Sequence, residues 1–95
     1  MTIGALKITL LLHGCHTLKE KRMRVRPILA KVRAKFHVAV AEVEHQNVAQ
    51  MAGVAFVTVS DSGRVANATC DKIVDFVESL GLAEVGNTEM ELIHF

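Results

Sequence analysis

The stretch Ile3-Gly4-Ala5-Leu6-Lys7-Ile8-Thr9-Leu10-Leu11-Leu12, followed after a short loop by Thr17-Leu18-Lys19-Glu20, decides how the chain is read. Leu6, Ile8, Leu10 and Leu12 fall on one side of an extended backbone. Ala5, Lys7, Thr9 and Leu11 fall on the other, the period of two of a sheet with one covered face. His13-Gly14-Cys15-His16 forms the exit loop. Thr17 and Glu20 then have the spacing of a capping box, in which hydroxyl and carboxylate satisfy the free N–H groups of a helix start. A helix is predicted from about Leu18.

Working outward, Val25, Ile28, Leu29, Val32 and Phe36 make the apolar stripe of that helix. Pro27 interrupts it, removing one donor and crowding the carbonyl four residues back, so a single kinked element is predicted. His37 to Glu44 alternates again, with Val38 and Val40 opposite Ala39, Ala41 and Val43. Residues 53–60 are rich in β-formers and apolar on both sides, as in a central strand. Ser60, Asp61 and Ser62 offer caps for a second helix, whose stripe is Ala66, Cys70, Ile73, Val77 and Leu80, and Gly81 supplies its stop. Residues 88–95 close the chain as a strand. The order β-α-β-β-α-β with short connections predicts an α+β, ferredoxin-like sandwich: four antiparallel strands with both helices on one face.

The chain has 95 residues, 51% hydrophobic and 22% charged, enough for one domain (1–95) and unlike a disordered chain. No apolar run approaches the roughly 18 residues of a membrane span, and no basic residue precedes the apolar start. Cys15 and Cys70 form no CxxC and no disulfide framework. A cytoplasmic protein with free thiols and no membrane partner is expected.

The charge is unevenly spread. Net charge is only +1. Yet Lys19, Lys21, Arg22, Arg24, Arg26, Lys31, Arg33 and Lys35, eight of the eleven basic residues, lie between His16 and Lys35 with Glu20 as the one acid. The rest of the chain holds three basic and nine acidic residues. Such a segment draws a polyanion, and a helix N-terminus adds its own attraction for phosphate. The competing expectation is that Asp71, Asp75 and Glu78 of the second helix neutralise the first. With Trp and Tyr absent and only Phe56 in a central strand, base stacking on the sheet is not expected, so RNA would be held by its phosphates.

Other constellations are weaker. His13, Cys15 and His16 are suitable metal ligands from one loop, with His37 and His45 elsewhere, but no second pair stands at ligand spacing. No metal or cofactor is expected. Cys15 with His13 or His16 resembles a thiol–base pair without anything fixing its geometry. Glu42, Glu44 and His45 read as a polar strand end, and Asp61-Ser62-Gly63 as turn and cap chemistry; no phosphate-loop motif occurs. No catalytic residue is assigned. On the sheet face away from the helices, Ala5, Thr9, Leu11, Ala39, Ala41, Val43, Ile93 and Phe95 are predicted to form a flat apolar patch suited to a homodimer.

Thr17-Leu18-Lys19-Glu20-Lys21-Arg22 and Phe36-His37-Val38-Ala39-Val40-Ala41-Glu42-Val43 together resemble the YlxP-like family of small bacterial proteins of unknown function. The family pattern is Ser-Leu-Lys-acidic-Lys-Arg and later Arg-Phe-Asn-Val-Ser-Val-Ala-Glu-Val. Thr17 preserves the cap, while Lys35, His37 and Ala39 depart from the commoner Arg, Asn and Ser. The resemblance implies a ferredoxin-like fold and no established activity. Because some members are encoded beside translation-initiation and ribosome-maturation genes, it also points to ribosome-associated work. It carries over Lys19, Lys21 and Arg22 as an anion site, and Glu42 as an anchor for a basic side chain. The sequence thus predicts a non-catalytic accessory protein that binds structured RNA or a ribosomal particle. Its contacts would be Lys19, Lys21, Arg22, Arg24, Arg26 and Arg33, supported by Thr17, Glu42 and His45. A homodimeric interaction module is the alternative, and a small anionic-metabolite site a weaker one.

Overall fold

The computed structural model describes residues 1–95. Its elements run β1 (Thr2–Leu11), α1 (Leu18–Phe36), β2 (Ala39–Glu44), β3 (Met51–Ser60), α2 (Gly63–Leu80) and β4 (Glu84–His94). The strands form one antiparallel sheet in the order β2-β3-β1-β4. This is the ferredoxin-like α+β arrangement predicted from the element order. No helix is long and apolar enough to cross a membrane.

Alternation in β1 sets the layers. Leu6, Ile8 and Leu10 point under the helices and are buried, while their odd-numbered neighbours stay partly open. Against them pack Val25, Ile28 and Val32 of α1, Val54 and Phe56 of β3, and Cys70, Ile73 and Val77 of α2. Both helix starts follow their caps: Thr17 Oγ1 accepts from the Glu20 N–H at 3.1 Å, and Ser62 Oγ from the Val65 N–H at 3.3 Å. α2 ends at Gly81 with φ 66°. α1 ends instead at His37, which adopts the left-handed conformation (φ 55°) and is a cap rather than the first residue of a strand.

α1 is the single element predicted, continuing through Pro27; the carbonyl this proline leaves without a donor belongs to Met23, an exposed residue whose backbone can be met by water. Two further details depart from the sequence reading. β2 carries a bulge: Glu42 pairs with Val54, but Glu44, not Val43, pairs with Gly53. The doubled side places Glu44 against β3 so tightly that a Cβ on Gly53 would lie 2.7 Å from the Glu44 Cβ. Only glycine fits there. β4 begins at Glu84, four residues earlier than predicted, and carries a register shift between Val85 and Thr88 opposite Leu10 and Ile8 of β1; Phe95 lies beyond its end.

Candidate functional site: the two faces of helix α1

α1 is cationic on two sides that do opposite things. Lys21, Val25, Ile28 and Val32 share the buried side. Lys19, Arg22, Arg26 and Arg33 recur at spacings of three, four and seven on the outward side and are exposed.

The buried side corrects the sequence reading. Lys21, expected among the phosphate ligands, is only 2% exposed. Its Nζ donates to the carbonyls of His45 (2.7 Å), Val48 (2.9 Å), Met51 (3.1 Å) and Gln46 (3.3 Å), and lies 2.8 Å from Glu42 Oε2. Five oxygens thus surround an ammonium with three protons, so some of these bonds are shared. The Glu42 oxygen has no aligned donor; it holds its place as a counter-charge. His45, expected in a supporting role, meets Lys21 through its backbone carbonyl. Its left-handed backbone (φ 59°) belongs to the turn whose carbonyl makes the shortest of the four contacts. The ammonium therefore takes the role a bound cation often has, gathering the carbonyls of the β2–β3 loop.

A signal for this was present. Counting back four residues from Val25 along the apolar stripe lands on Lys21, and the family-like motifs pair a lysine in one segment with a glutamate in the other. Glu42 does anchor a basic side chain, and the two motifs meet in space through that contact.

The outward side is different. Of the cations on α1, only Lys21 lies within 4.0 Å of a carboxylate; the remaining ion pairs join Lys7 to Glu44 and Glu89, His13 to Glu84, and His45 to Glu44. Asp71, Asp75 and Glu78 of α2 pair with none of them. Lys35, on the flank facing α2, lies 4.8 Å from the centre of the Phe76 ring, which packs edge-on against Phe36. Lys19, Arg22, Met23, Arg26 and Pro27 line a shallow hollow of about 590 Å³. Arg24 is half-buried and off this row. At the helix start Thr17 caps the Glu20 N–H, and the Glu20 carboxylate reaches back past the cap to accept from the His16 N–H at 3.2 Å. Glu20 thus sets a negative charge in the first turn of α1, and the cationic row runs from Lys19 along the helix.

The other candidates stay apart. His13 bonds to Glu84, Cys15 is buried, and no three potential ligands converge on a metal position. Burial, with the nearby Asp71 charge, pushes the Cys70 thiol above its ordinary range. Phe56 faces the helices and is 1% exposed, so the open sheet presents no aromatic platform.

The profile of DUF503, described as a protein family of unknown function, matches residues 3–90. The chain is 27% identical over 77 residues to the uncharacterized protein YlxP of Bacillus subtilis (strain 168), covering 81% of this chain and 84% of that protein. Among solved structures it is similar to the structural-genomics protein YJCS (TM-score 0.55, 10% identity, 97% of this chain and 99% of the other). It is equally similar to the de novo designed protein Foldit4 (TM-score 0.54, 13% identity, 100% and 99%). At these identities the structures share the fold alone, and a fold that a designed chain also adopts says nothing of activity.

Proposed function

The chain belongs to the DUF503 family, and on that premise we propose that it is a non-catalytic accessory protein that binds the phosphate backbone of structured RNA, such as that of a ribosomal particle, through the outward side of α1. The observation that carries this reading is the row Lys19, Arg22, Arg26 and Arg33, exposed and without a carboxylate partner. From Lys19 to Arg33 the helix rises about 21 Å at 1.5 Å per residue, long enough to meet several successive phosphates. Arginine's planar fork suits phosphate oxygens, and cations held by no internal acid lose no ion pair on binding. The absence of an aromatic sheet platform favours backbone contact over base reading.

The test is binding of a labelled RNA hairpin across a potassium chloride series. The wild-type affinity is expected to fall steeply with salt. Replacing Lys19, Arg22 and Arg26 with Ala should weaken binding at all sequences and reduce the logarithmic salt slope by about one per cation removed. Binding that is insensitive to salt, or unchanged in the triple variant, overturns the proposal.

A further inference from the structure

We propose that the uncovered face of the sheet is closed by a second copy of this chain, giving a twofold dimer with the two helical layers outermost. The face differs in composition from what the sequence suggested. Val43 is displaced by the bulge and Phe95 lies off the strand end. Ile93 holds its predicted place, and Ile3, Val57 and Val59 bring further large apolar groups to the face, beside Ala5, Ala39, Ala41 and Ala55. Val59 is 63% exposed and Val57 37%, a conspicuous amount for two valines on β3, one of the central strands.

Three features select a second copy as the occupant. The first is size. Ten residues of β1 at about 3.3 Å each, across four strands about 4.8 Å apart, give a face of roughly 600 Å². Two copies would bury about 1,200 Å², the lower bound of specific protein interfaces. The second is relief. Val59 and Ile93 stand proud at one end, while a shallow depression of about 430 Å³ runs over Ala5, Ala55 and Val57. A surface carrying both the ridge and the trough can mate with itself by a twofold rotation, as an isologous contact requires. The third is the placing of charge. Glu44, Glu89 and Glu91 belong to the edge strands β2 and β4, and Glu89 and Glu91 line the depression with Lys7, so the charge of this face lies in one band beside the apolar end formed by Ile3, Val59 and Ile93. Lys7, the cation of this face, reaches across β3 to Glu44 at 2.5 Å and also lies 3.5 Å from Glu89, so it is already neutralised. Twisted sheets of this kind stack face to face with their strands within about 30° of each other.

Sedimentation equilibrium on the full chain reads the outcome directly. A dimer with a dissociation constant on the order of micromolar is expected, persisting at salt that dissociates RNA because the contact is apolar. Val59→Lys and Val57→Glu should each raise that constant at least tenfold while leaving the circular-dichroism spectrum and thermal transition of a folded chain. Val65→Glu, on the exposed side of α2, should leave it unchanged. A wild-type chain that sediments as a monomer at about 100 µM, or Val59→Lys and Val57→Glu variants that are folded and fully dimeric, overturns the proposal. Neither result touches RNA binding by α1, which the hairpin assay reads separately.

Discussion

Lys21 and Arg22 are neighbours in the sequence and opposites in the structure. One ammonium is enclosed by four carbonyls and a carboxylate, whereas the guanidinium beside it, turned by about 100° around the helix, is exposed with no acid within reach. A run of basic residues therefore mixes two kinds of cation, one holding the fold together and one available to a partner. What separates them is angular position on the helix. Lys21 falls on the stripe of Val25, Ile28 and Val32, and Arg22 is turned away from it.

Breaking the inner contact should have the largest effect. Lys21→Met keeps the aliphatic length but leaves Glu42 without its counter-charge and four loop carbonyls without their donor. We expect a loss of about 3–5 kcal/mol, as when one member of a buried pair is removed, and a fall in Tm of more than about 12 °C. Urea denaturation followed by circular dichroism measures it; a loss below about 1 kcal/mol would mean that the loop closes without the ammonium. Glu42→Gln should cost less, about 1–2 kcal/mol, because the carbonyls still hold the ammonium. The double variant should be more stable than the sum of the two single losses implies, since each removes the same contact.

The fold was legible because its signals were local and repeated. Alternation in β1, the Thr17–Glu20 box, the Ser62 cap and Gly81 each act within a few residues, and all agree with one topology. The bulge at Val43 was not legible. It depends on Glu44 meeting the bare backbone of Gly53 on a neighbouring strand. Lys21 was hidden for a similar reason. Its acceptors are main-chain carbonyls of residues 45–51, which carry no trace in side-chain chemistry, and their convergence depends on the turn at His45. Whether the outward cations are paired was also beyond the sequence, because it rests on how α1 and α2 are set against each other. That the acids of α2 do not reach them follows only from the geometry.

Replacing outward cations should invert the pattern seen at Lys21. Arg22→Ala and Arg26→Ala remove exposed groups with no internal partner, and each should change stability by less than about 0.5 kcal/mol. Lys21→Met should in turn alter RNA affinity only through unfolding. A denaturation series in which Arg22→Ala costs as much as Lys21→Met would erase the distinction between the two sides.

The smallest effect concerns the ion pair on the open sheet, the exposed counterpart of the Lys21–Glu42 contact. The hydrogen bond from Lys7, and then its charge, hold the Glu44 carboxyl below the ordinary carboxylate range, and the same hydrogen bond raises the Lys7 ammonium above its own. A carboxyl depressed in the folded state contributes stability above its unfolded pKa and loses it as pH falls through the lower folded value. A raised lysine contributes below its unfolded pKa and loses that as pH rises through the higher folded value. The pair should thus stabilise the fold across the whole neutral range and fade in acid below the usual glutamate region and in alkali above the usual lysine region. In the single chain, at concentrations below those of the proposed dimer, both side chains are solvated, so the contribution is small and screened by salt. Glu44→Gln should flatten the acid limb of a stability–pH profile slightly at low ionic strength and leave it unaltered in high salt. A profile that steepens, or that changes most near neutrality, would show that the contact is not what sets these two titrations.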